Sequence, residues 1–449
     1  MFKNYFFILS VLLLTACQND DVQSYIEVEN DLDAALLASV EEASKGQGVR
    51  YFILPESTDY GSIPQDPLNP ITKAKVELGK MLLHETALGG APKMNTAQYQ
   101  YTCVSCHPVA SGFHSGVRQG VGEGGLGFGL RGEGRRIDIN MPIDSVDIQP
   151  IRPPTLLNLA YQDVMLWNGQ FGGTGTNANT SSRWTNIPEN AEGFQGIEVQ
   201  AMQGQDTHRL LVDRDFVERF GYKEMFDQAF GDIPEAQRYT RKTGALALAA
   251  FNRTILSNKA PWQDWLRGKY TSLTDKEKRG ALLFFGKAKC INCHTGPALK
   301  DKEFHAFGFG DFDNSPQAVI GSTVDFESVK KGRGGFTRVP QDDYKFKTPT
   351  LYNLKGIKFL GHGGTFTSVK EVISYKNNGV PQQTEVPETQ LAEEFGTVLL
   401  QPEEIEQLTA FIENGLYDPD LERYVPERTH SGYCFPSNDP IAKQDLGCQ

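Results

Sequence analysis

The sequence is poor in basic residues and in long apolar runs. Its 44 lysines and arginines are outnumbered by 56 acidic residues, and the formal net charge is −12. No block rich in lysine and arginine offsets the carboxylates, so nucleic acid is excluded as an expected partner. Beyond residue 16, no stretch approaches the roughly 18 apolar residues that a membrane-spanning helix requires. Any attachment to a membrane therefore depends on the N-terminal segment.

Cysteine, methionine and histidine are also scarce, with 7, 7 and 8 residues in 449. Four of the cysteines nevertheless fall in two CxxCH motifs, CVSCH at 103–107 and CINCH at 290–294. In such a motif the two thiols add to the vinyl groups of a haem, and the histidine supplies an axial nitrogen to the iron. Disulfide or zinc half-sites are the alternative, but zinc needs four ligands per site and no second CxxC or paired histidine accompanies either motif. The sequence therefore predicts two covalently bound haem c groups, with attachment residues Cys103, Cys106, Cys290 and Cys293 and iron ligands His107 and His294.

The N-terminal segment is typical of a bacterial lipoprotein signal. Lys3 supplies positive charge, residues 5–16 are largely apolar, and Cys17 follows the tripeptide LTA. We expect Cys17 to carry a lipid that is the only membrane attachment; an ordinary cleaved signal with an incidental cysteine is the alternative. The protein is thus predicted to be an exported bacterial lipoprotein, on the periplasmic face of a membrane or at the cell surface.

Two cysteines remain, Cys434 and Cys448. In an oxidising compartment outside the cytoplasm, we expect them to pair and to close a short loop near the C-terminus. This disulfide is a structural feature of the tail, and we assign it no redox chemistry.

The predicted fold is mostly α, with two cytochrome c-like haem domains packed together and long irregular loops. The domains are expected at 71–270 and 271–416, between a signal at 1–17 with an extension at 18–70 and a tail at 417–449. Apolar spacing predicts helices at 32–43, 72–84, 216–230, 242–257, 276–285, 368–376 and 402–414. No internal repeat is evident beyond the two CxxCH motifs.

Two polar, glycine-rich segments predict irregular structure. The first, at 111–136, follows a predicted haem ligand directly and is either a mobile cover of a site or an irregular surface loop. The second lies at 171–190.

Several short motifs stand in a fixed order around the two CxxCH motifs. They are LGK at 78–80, RPPTLLN at 152–158, WNG at 167–169, FNRT at 251–254, KTPTLYN at 347–353 and HGG at 362–364. In this order the sequence resembles the bacterial di-haem cytochrome c peroxidase and MauG superfamily from about residue 71 to 415. The resemblance implies that peroxide is cleaved at the N-terminal haem, held by His107. It also implies that the C-terminal haem, held by His294, receives and stores electrons.

The resemblance also implies candidate catalytic residues. Gln200 matches the glutamine of the family's peroxide pocket, and His208 lies near the position of the family's catalytic Glu. Cleavage of bound peroxide needs a group that moves a proton between the two oxygens, and a histidine suits this role because its pKa is near neutrality. His208 could instead be an exposed helix residue or a partner of a haem propionate. Trp167 matches a tryptophan that relays electrons between the haems; a core tryptophan is the alternative.

Three positions depart from the family. Glu123 stands where many members have a histidine that closes the peroxidatic iron until the other haem is reduced, so we expect an open first haem. Lys376 or Tyr375 stands near the position of a methionine or tyrosine ligand of the second haem, and no methionine follows Met225. Either residue is a candidate distal ligand or a helix residue that faces solvent.

A third departure concerns the family's calcium site between the domains. Arg152 replaces an asparagine ligand there, and its positive charge opposes a divalent cation. Calcium is therefore not expected, although backbone carbonyls could still bind it.

The leading function is the reduction of hydrogen peroxide to water with electrons from a small c-type cytochrome or cupredoxin. The alternatives are a MauG-like oxidation of tryptophan or tyrosine in a partner protein and a non-catalytic di-haem electron carrier. The resemblance is also compatible with a homodimer.

Overall fold

The computed structural model describes residues 31–314, 318–321 and 324–448. Cys17 and the predicted signal segment lie outside these residues. The helices up to residue 270 are α1 (Asp31–Ala43), α2 (Lys73–His84), α3 (Gly196–Thr207), α4 (Arg214–Arg219), α5 (Lys223–Ala229), α6 (Glu235–Arg238), α7 (Arg241–Thr254) and α8 (Pro261–Leu266).

The later helices are α9 (Asp275–Phe285), α10 (Phe326–Lys330), α11 (Arg333–Thr337), α12 (Val369–Asn378), α13 (Pro402–Ala410) and α14 (Pro440–Leu446). Two antiparallel ribbons of two strands each accompany them, β1 (Gly125–Leu126) with β2 (Arg136–Ile137) and β3 (Phe304–His305) with β4 (Phe346–Lys347). The fold is therefore mostly α with long irregular connections, as predicted.

A pair of crossing helices is repeated in the two halves of the chain. Gly79 of α2 lies so close to α7 that an added Cβ would be 2.1 Å from the Ala247 oxygen. Gly280 of α9 approaches α13 in the same way, with an added Cβ 2.0 Å from the Gln407 oxygen. In both cases a buried phenylalanine four positions later, Phe251 or Phe411, is the next residue in contact, with its Cβ 2.8 Å from the added Cβ. This repeat lies in the packing geometry and not in the sequence, where none was evident beyond the CxxCH motifs.

Threonine side chains cap the starts of α2 and α9. Thr72 accepts a hydrogen bond from Lys75 N at the start of α2, and Thr274 forms a capping box with Glu277 at the start of α9. The single helix predicted at 216–230 is wrong, because Gly221 adopts a positive φ of 75° and separates α4 from α5.

The N-terminal extension is joined to the second half of the chain by buried polar contacts. Asp33 of α1 accepts a hydrogen bond from Trp265 Nε1 at 2.8 Å and forms an ion pair of 2.8 Å with Lys278 of α9. The ion pair is buried, so loss of one partner would leave an uncompensated charge.

The C-terminal tail covers the first CxxCH motif. Cys434 and Cys448 form the predicted disulfide, and Ser105 within the motif donates a hydrogen bond to the Pro436 oxygen at 2.6 Å. Asp439 accepts from the Gly127 amide at 3.0 Å. The tail therefore also fastens the glycine-rich segment 111–136.

Much of that glycine-rich segment is buried against the motif. An added Cβ on Gly120 would lie 3.0 Å from Cys106 Sγ, so only glycine allows the chain to approach the thiol this closely. The segment forms part of a cavity wall. It also includes the short strand β1, so the prediction of wholly irregular structure is wrong at this point. Over the described residues, no helix is long and apolar enough to cross a membrane.

Candidate functional site

The first CxxCH motif forms a short 3-10 turn, Cys103–Ser105. Thr102 and Ser105 hold this turn, with the Thr102 amide donating to Ser105 Oγ at 3.0 Å. His107 follows, and its Nδ1–H donates to the Phe113 oxygen at 3.2 Å. Burial lowers the pKa of His107 to about 4, so the ring is neutral and its Nε2 is left as a metal ligand.

The second motif repeats this arrangement. Residues Cys290–Asn292 form the turn, and His294 Nδ1–H donates to the Leu299 oxygen at 3.0 Å. Burial lowers the pKa of His294 to about 3. Each motif thus combines two thiols with a neutral imidazole whose orientation is set by a backbone carbonyl, which is the donor set of haem c.

Each motif opens into a cavity of its own. The first cavity is lined by Cys103, Cys106 and His107, and the second by Cys290, Cys293 and His294. The remaining walls are mainly apolar, as a porphyrin requires, so the residues of both cavities fit a covalently attached haem. The two cavities share a wall made of Arg152, Pro153, Pro154, Leu159, Leu166 and Trp167.

Helix α3 places polar side chains on the wall of the first cavity. Gln200 lies in the middle of the helix, and its Oε1 is buried without a hydrogen-bond partner among the described residues. His208 caps the C-terminal end two turns later and lines the same cavity. The structure therefore brings Gln200 and His208 together with His107, as the resemblance implied.

His208 forms a pair with Asp147, a residue that the sequence alone did not single out. Its Nδ1 lies 2.8 Å from Asp147 Oδ2, and the side chains of His208 and Asp147 are 41% and 3% exposed. Burial by itself would lower the pKa of His208, but the charge and hydrogen bond of Asp147 raise it above the ordinary value. Conversely, His208 holds the pKa of Asp147 low against the effect of its burial. The Asp147 carboxylate thus fixes Nδ1 and leaves Nε2 as the ring nitrogen available to the cavity.

Glu123 does not line the first cavity. Its carboxylate is fully buried, where it accepts hydrogen bonds from the Met94 amide at 2.8 Å and from Arg209 Nε. Arg209 directly follows His208, so Glu123 holds the end of α3 in place. The position that corresponds to the family's closing histidine thus holds a carboxylate that Arg209 binds outside the first cavity, where it supports the end of α3.

Trp167 lies in the wall between the cavities. Its Nε1–H donates to the Arg152 oxygen at 2.8 Å, and its carbonyl accepts from the Lys347 amide at 2.8 Å. The ring meets the His362 ring edge to face at 6.2 Å. The side chain is half-buried and lines both cavities, so it is not an ordinary core residue.

The structure separates the two candidate ligands of the second haem. Tyr375 Oη lies within hydrogen-bond distance of the Phe307 and Gly308 oxygens, at 2.7 and 2.8 Å, and does not line the cavity. Lys376 lines the cavity, with Nζ 3.8 Å from the centre of the Phe307 ring. Burial lowers the pKa of Lys376, which favours the neutral amine that can bind a metal.

Arg152, at the position considered for calcium, lies in the wall shared by the two cavities. It is 2% exposed, and its guanidinium donates to the Ser115 and Val117 oxygens at 2.9 and 2.8 Å. These carbonyls therefore face a fixed positive charge from the chain itself. The expectation about calcium stays a prediction.

The fold and the two cavities define a c-type protein with two haem sites. A family model described as di-haem cytochrome c peroxidase matches residues 73–271. The cytochrome-c peroxidase IdrP1 of Pseudomonas sp. (strain SCT) is 27% identical, over 78% of this chain and 82% of its own length. The methylamine utilization protein MauG of Methylorubrum extorquens is also 27% identical, over 71% of this chain and 72% of its own.

Solved structures agree with this relationship. A MauG-like protein associated with microbial copper homeostasis shares the fold with a TM-score of 0.55 and 21% identity, over 82% of this chain and 95% of its own. The diheme peroxidase BthA from Burkholderia thailandensis shares it with a TM-score of 0.52 and 15% identity, over 80% and 89%.

The resemblance that the motifs predicted is thus confirmed by a di-haem cytochrome c peroxidase family model over residues 73–271 and by relatives named cytochrome c peroxidase and MauG, which indicates an oxidoreductase of the peroxidase type. This resemblance implies haem c cofactors, a peroxide substrate and a redox partner.

Proposed function

We propose that the protein reduces hydrogen peroxide to water in the first cavity with electrons that enter through the second. The observation that carries this proposal is the Asp147–His208 pair, which lines the cavity of His107 together with Gln200. The haem of this cavity, when bound, supplies an iron position for peroxide and the redox chemistry of its cleavage.

The chain's own residues manage the protons. Two electrons and two protons convert one hydrogen peroxide into two waters, and cleavage of the O–O bond requires a proton to move from the inner to the outer oxygen. His208 Nε2 can accept and return this proton because Asp147 holds the opposite ring nitrogen. The Gln200 amide can donate a hydrogen bond to the oxygen that becomes negative. The polar groups are therefore arranged for proton transfer beside the iron position.

Trp167 is the aromatic residue of the shared wall. Because it lines both cavities, we propose that electrons pass from the second haem to the first through its ring. The electron donor is a small c-type cytochrome or cupredoxin. The net charge of −12 favours a donor with a basic docking face, since opposite charges speed association.

One observation favours a second candidate function, a MauG-like oxidation of tryptophan or tyrosine in a partner protein. The second cavity contains Lys376 where a methionine ligand would favour easy reduction, and no methionine follows Met225. An amine ligand favours oxidised iron. The protein would then use peroxide to oxidise a tyrosine-rich model peptide. A rate of this oxidation above the rate of peroxide reduction with a donor cytochrome would support this candidate over the first.

The test is a stopped-flow experiment on the oxidised, haem-loaded protein without residues 1–17. The Soret absorption is followed after mixing with hydrogen peroxide, for the wild type, for His208→Gln and for the control His430→Gln, a surface histidine whose ring bonds the Gly221 oxygen. We expect a fast change without prior reduction in the wild type and control. General acid–base catalysis contributes about 10²–10⁴-fold, so His208→Gln should react slower by a factor in this range.

Other results have distinct meanings. A response only after one electron has been added would show that a sixth ligand closes the first iron. No response in either redox state would refute the peroxidase proposal.

We also propose that the protein is exported and anchored by a lipid on Cys17. The disulfide between Cys434 and Cys448 supports export, because such bonds persist mainly in oxidising compartments. Labelling of cells with a radioactive fatty acid should mark the wild type and not Cys17→Ala; equal labelling would refute the anchor.

A further inference from the structure

Two lysines are buried in the wall of the second cavity. Lys300 and Lys347 are 7% and 8% exposed, and both line the cavity that contains His294. Lys347 Nζ donates to Gln162 Oε1 and to the Val164 oxygen, which are neutral acceptors. Throughout the described part of the chain, neither ammonium forms an ion pair, and no side-chain acceptor is found for Lys300 Nζ. Two carboxylates also line this cavity, but Asp311 bonds to His362 and Gln383 and Glu394 bonds to Asn292. Neither carboxylate is therefore paired with the two lysines.

This arrangement is costly unless a negative group is added. Burial lowers the pKa of Lys347 to about 7. Burial, together with the charge of Lys347, lowers the pKa of Lys300 well below its ordinary value. The nearest stabilising charge for Lys347 is Asp163, but this carboxylate already accepts hydrogen bonds from Thr176. Buried charges are normally paired. The two side chains are thus suited to a ligand with two carboxylates.

The second CxxCH motif indicates which ligand that is. A haem c attached there carries two propionate carboxylates on the porphyrin edge, in a cavity that both lysines line. The Lys347 amide donates to the Trp167 oxygen at 2.8 Å, so the backbone of Lys347 lies beside the wall shared with the first cavity.

We propose that Lys300 and Lys347 bind the propionates of the second haem and thereby raise its reduction potential. A positive charge near the iron stabilises the form with one more electron. This shift in reduction potential is separate from the one that the axial ligands cause. It is therefore measured by comparing variants that keep the same ligands. The inference rests on the haem content of the second cavity and not on peroxide turnover, so it can fail or succeed independently of the proposed function.

The experiment is a spectroelectrochemical titration of the full di-haem protein at pH 6, where lysines are most fully charged. Lys300→Met and Lys347→Met each remove one charge and keep an unbranched side chain. The control is Lys302→Met, which removes an exposed charge two residues from Lys300. Lys300→Arg keeps the charge.

We expect one of the two midpoint potentials to fall in both methionine variants of the buried lysines. At the wild-type midpoint, the ratio of reduced to oxidised second haem should fall about tenfold, which corresponds to about 59 mV for one electron. Lys302→Met and Lys300→Arg should retain the wild-type value. The propionate-bending bands in resonance Raman spectra should shift only in the variants whose potential falls.

Unchanged or raised potentials in Lys300→Met and Lys347→Met would overturn the proposal, as would a fall of equal size in Lys302→Met. If Lys347→Met does not incorporate haem, Lys300→Met decides, because the Lys300 ammonium has no hydrogen bond of its own to lose. Lys300→Gln is measured in the same way if Lys300→Met also fails to load, and an unchanged potential in it overturns the proposal equally.

Discussion

Replacement of Asp147 by asparagine tests the geometry of the first cavity most directly. The Oδ2–Nδ1 contact of 2.8 Å with His208 is a charge-assisted hydrogen bond to a buried carboxylate. Hydrogen bonds to charged groups contribute about 1.5–3 kcal/mol. If this contribution is made while His208 carries the proton of the peroxide, its loss slows the reaction roughly 10- to 150-fold.

The pH dependence should change in a defined direction. Asp147 raises the pKa of His208, so the wild type loses the basic form of His208 as the pH falls through this raised value. Without the carboxylate the pKa of His208 falls. In Asp147→Asn, the rate constant for peroxide should therefore begin to rise at a lower pH than in the wild type, and its maximum should be smaller.

The assay is the second-order rate constant for hydrogen peroxide, measured by stopped flow between pH 5 and pH 9 on haem-loaded protein. Asp144→Asn, three residues away and exposed, is the matched control and should behave as the wild type. A rate and a pH profile in Asp147→Asn that match the wild type would refute the assigned role of the pair.

The remaining predictions concern stability, electron transfer and ligation. Glu198→Gln should lower the free energy of unfolding by about 3–5 kcal/mol in urea denaturation. The reason is that Glu198 and Arg253 form a fully buried ion pair of 2.7 Å, with both side chains 0% exposed. A loss below about 1 kcal/mol would instead be typical of a surface ion pair. Trp167→Phe should slow electron transfer between the haems without changing the first reaction with peroxide, and equal rates in flash-photolysis experiments would contradict the relay. Lys376→Met should change the near-infrared charge-transfer band of the second haem and raise its potential, whereas Tyr375→Phe should leave both unchanged; the reverse result would assign the ligand to Tyr375.

The Asp147–His208 pair also predicts a stability effect with a sign. A group with a raised folded pKa stabilises the fold below its unfolded value, here 6.5 for His208, and the contribution is lost as pH rises through the folded pKa. The lowered pKa of Asp147 contributes above its unfolded value of 3.8 and is lost in acid. The difference in unfolding free energy between the wild type and Asp147→Asn should therefore be largest between these two values; a difference that grows toward pH 9 would contradict it.

Patterns within short stretches of sequence were reliable guides. The CxxCH spacing predicted that two cysteines and the following histidine act together at each site, because attachment and ligation use residues within one turn of chain. The structure forms this turn at Cys103 and at Cys290. Apolar spacing predicted α2 and α9 to within one residue at each end. The break at Gly221 was missed because a single glycine inside an apolar pattern does not show whether its φ is positive.

Local sequence patterns did not predict the contacts among the side chains that surround each cavity. Asp147 reaches His208 across 61 residues, and the segment between carries no motif that signals this contact. Glu123 corresponds to the family's closing histidine, yet its carboxylate lies outside the first cavity, where Arg209 binds it. Contacts of this kind depend on how irregular loops pack, which local spacing does not determine.

The sequence by itself determined the two CxxCH motifs and the resemblance to the di-haem peroxidase superfamily, because these properties reside in contiguous motifs and in their order. The tertiary structure decided which side chains serve those sites: Asp147 behind His208, Lys376 rather than Tyr375 in the second cavity, and the lysine pair of Lys300 and Lys347. The physical reason is that a cavity wall is assembled from segments far apart in the chain, and each buried polar group is positioned by the partners that packing brings within hydrogen-bond distance.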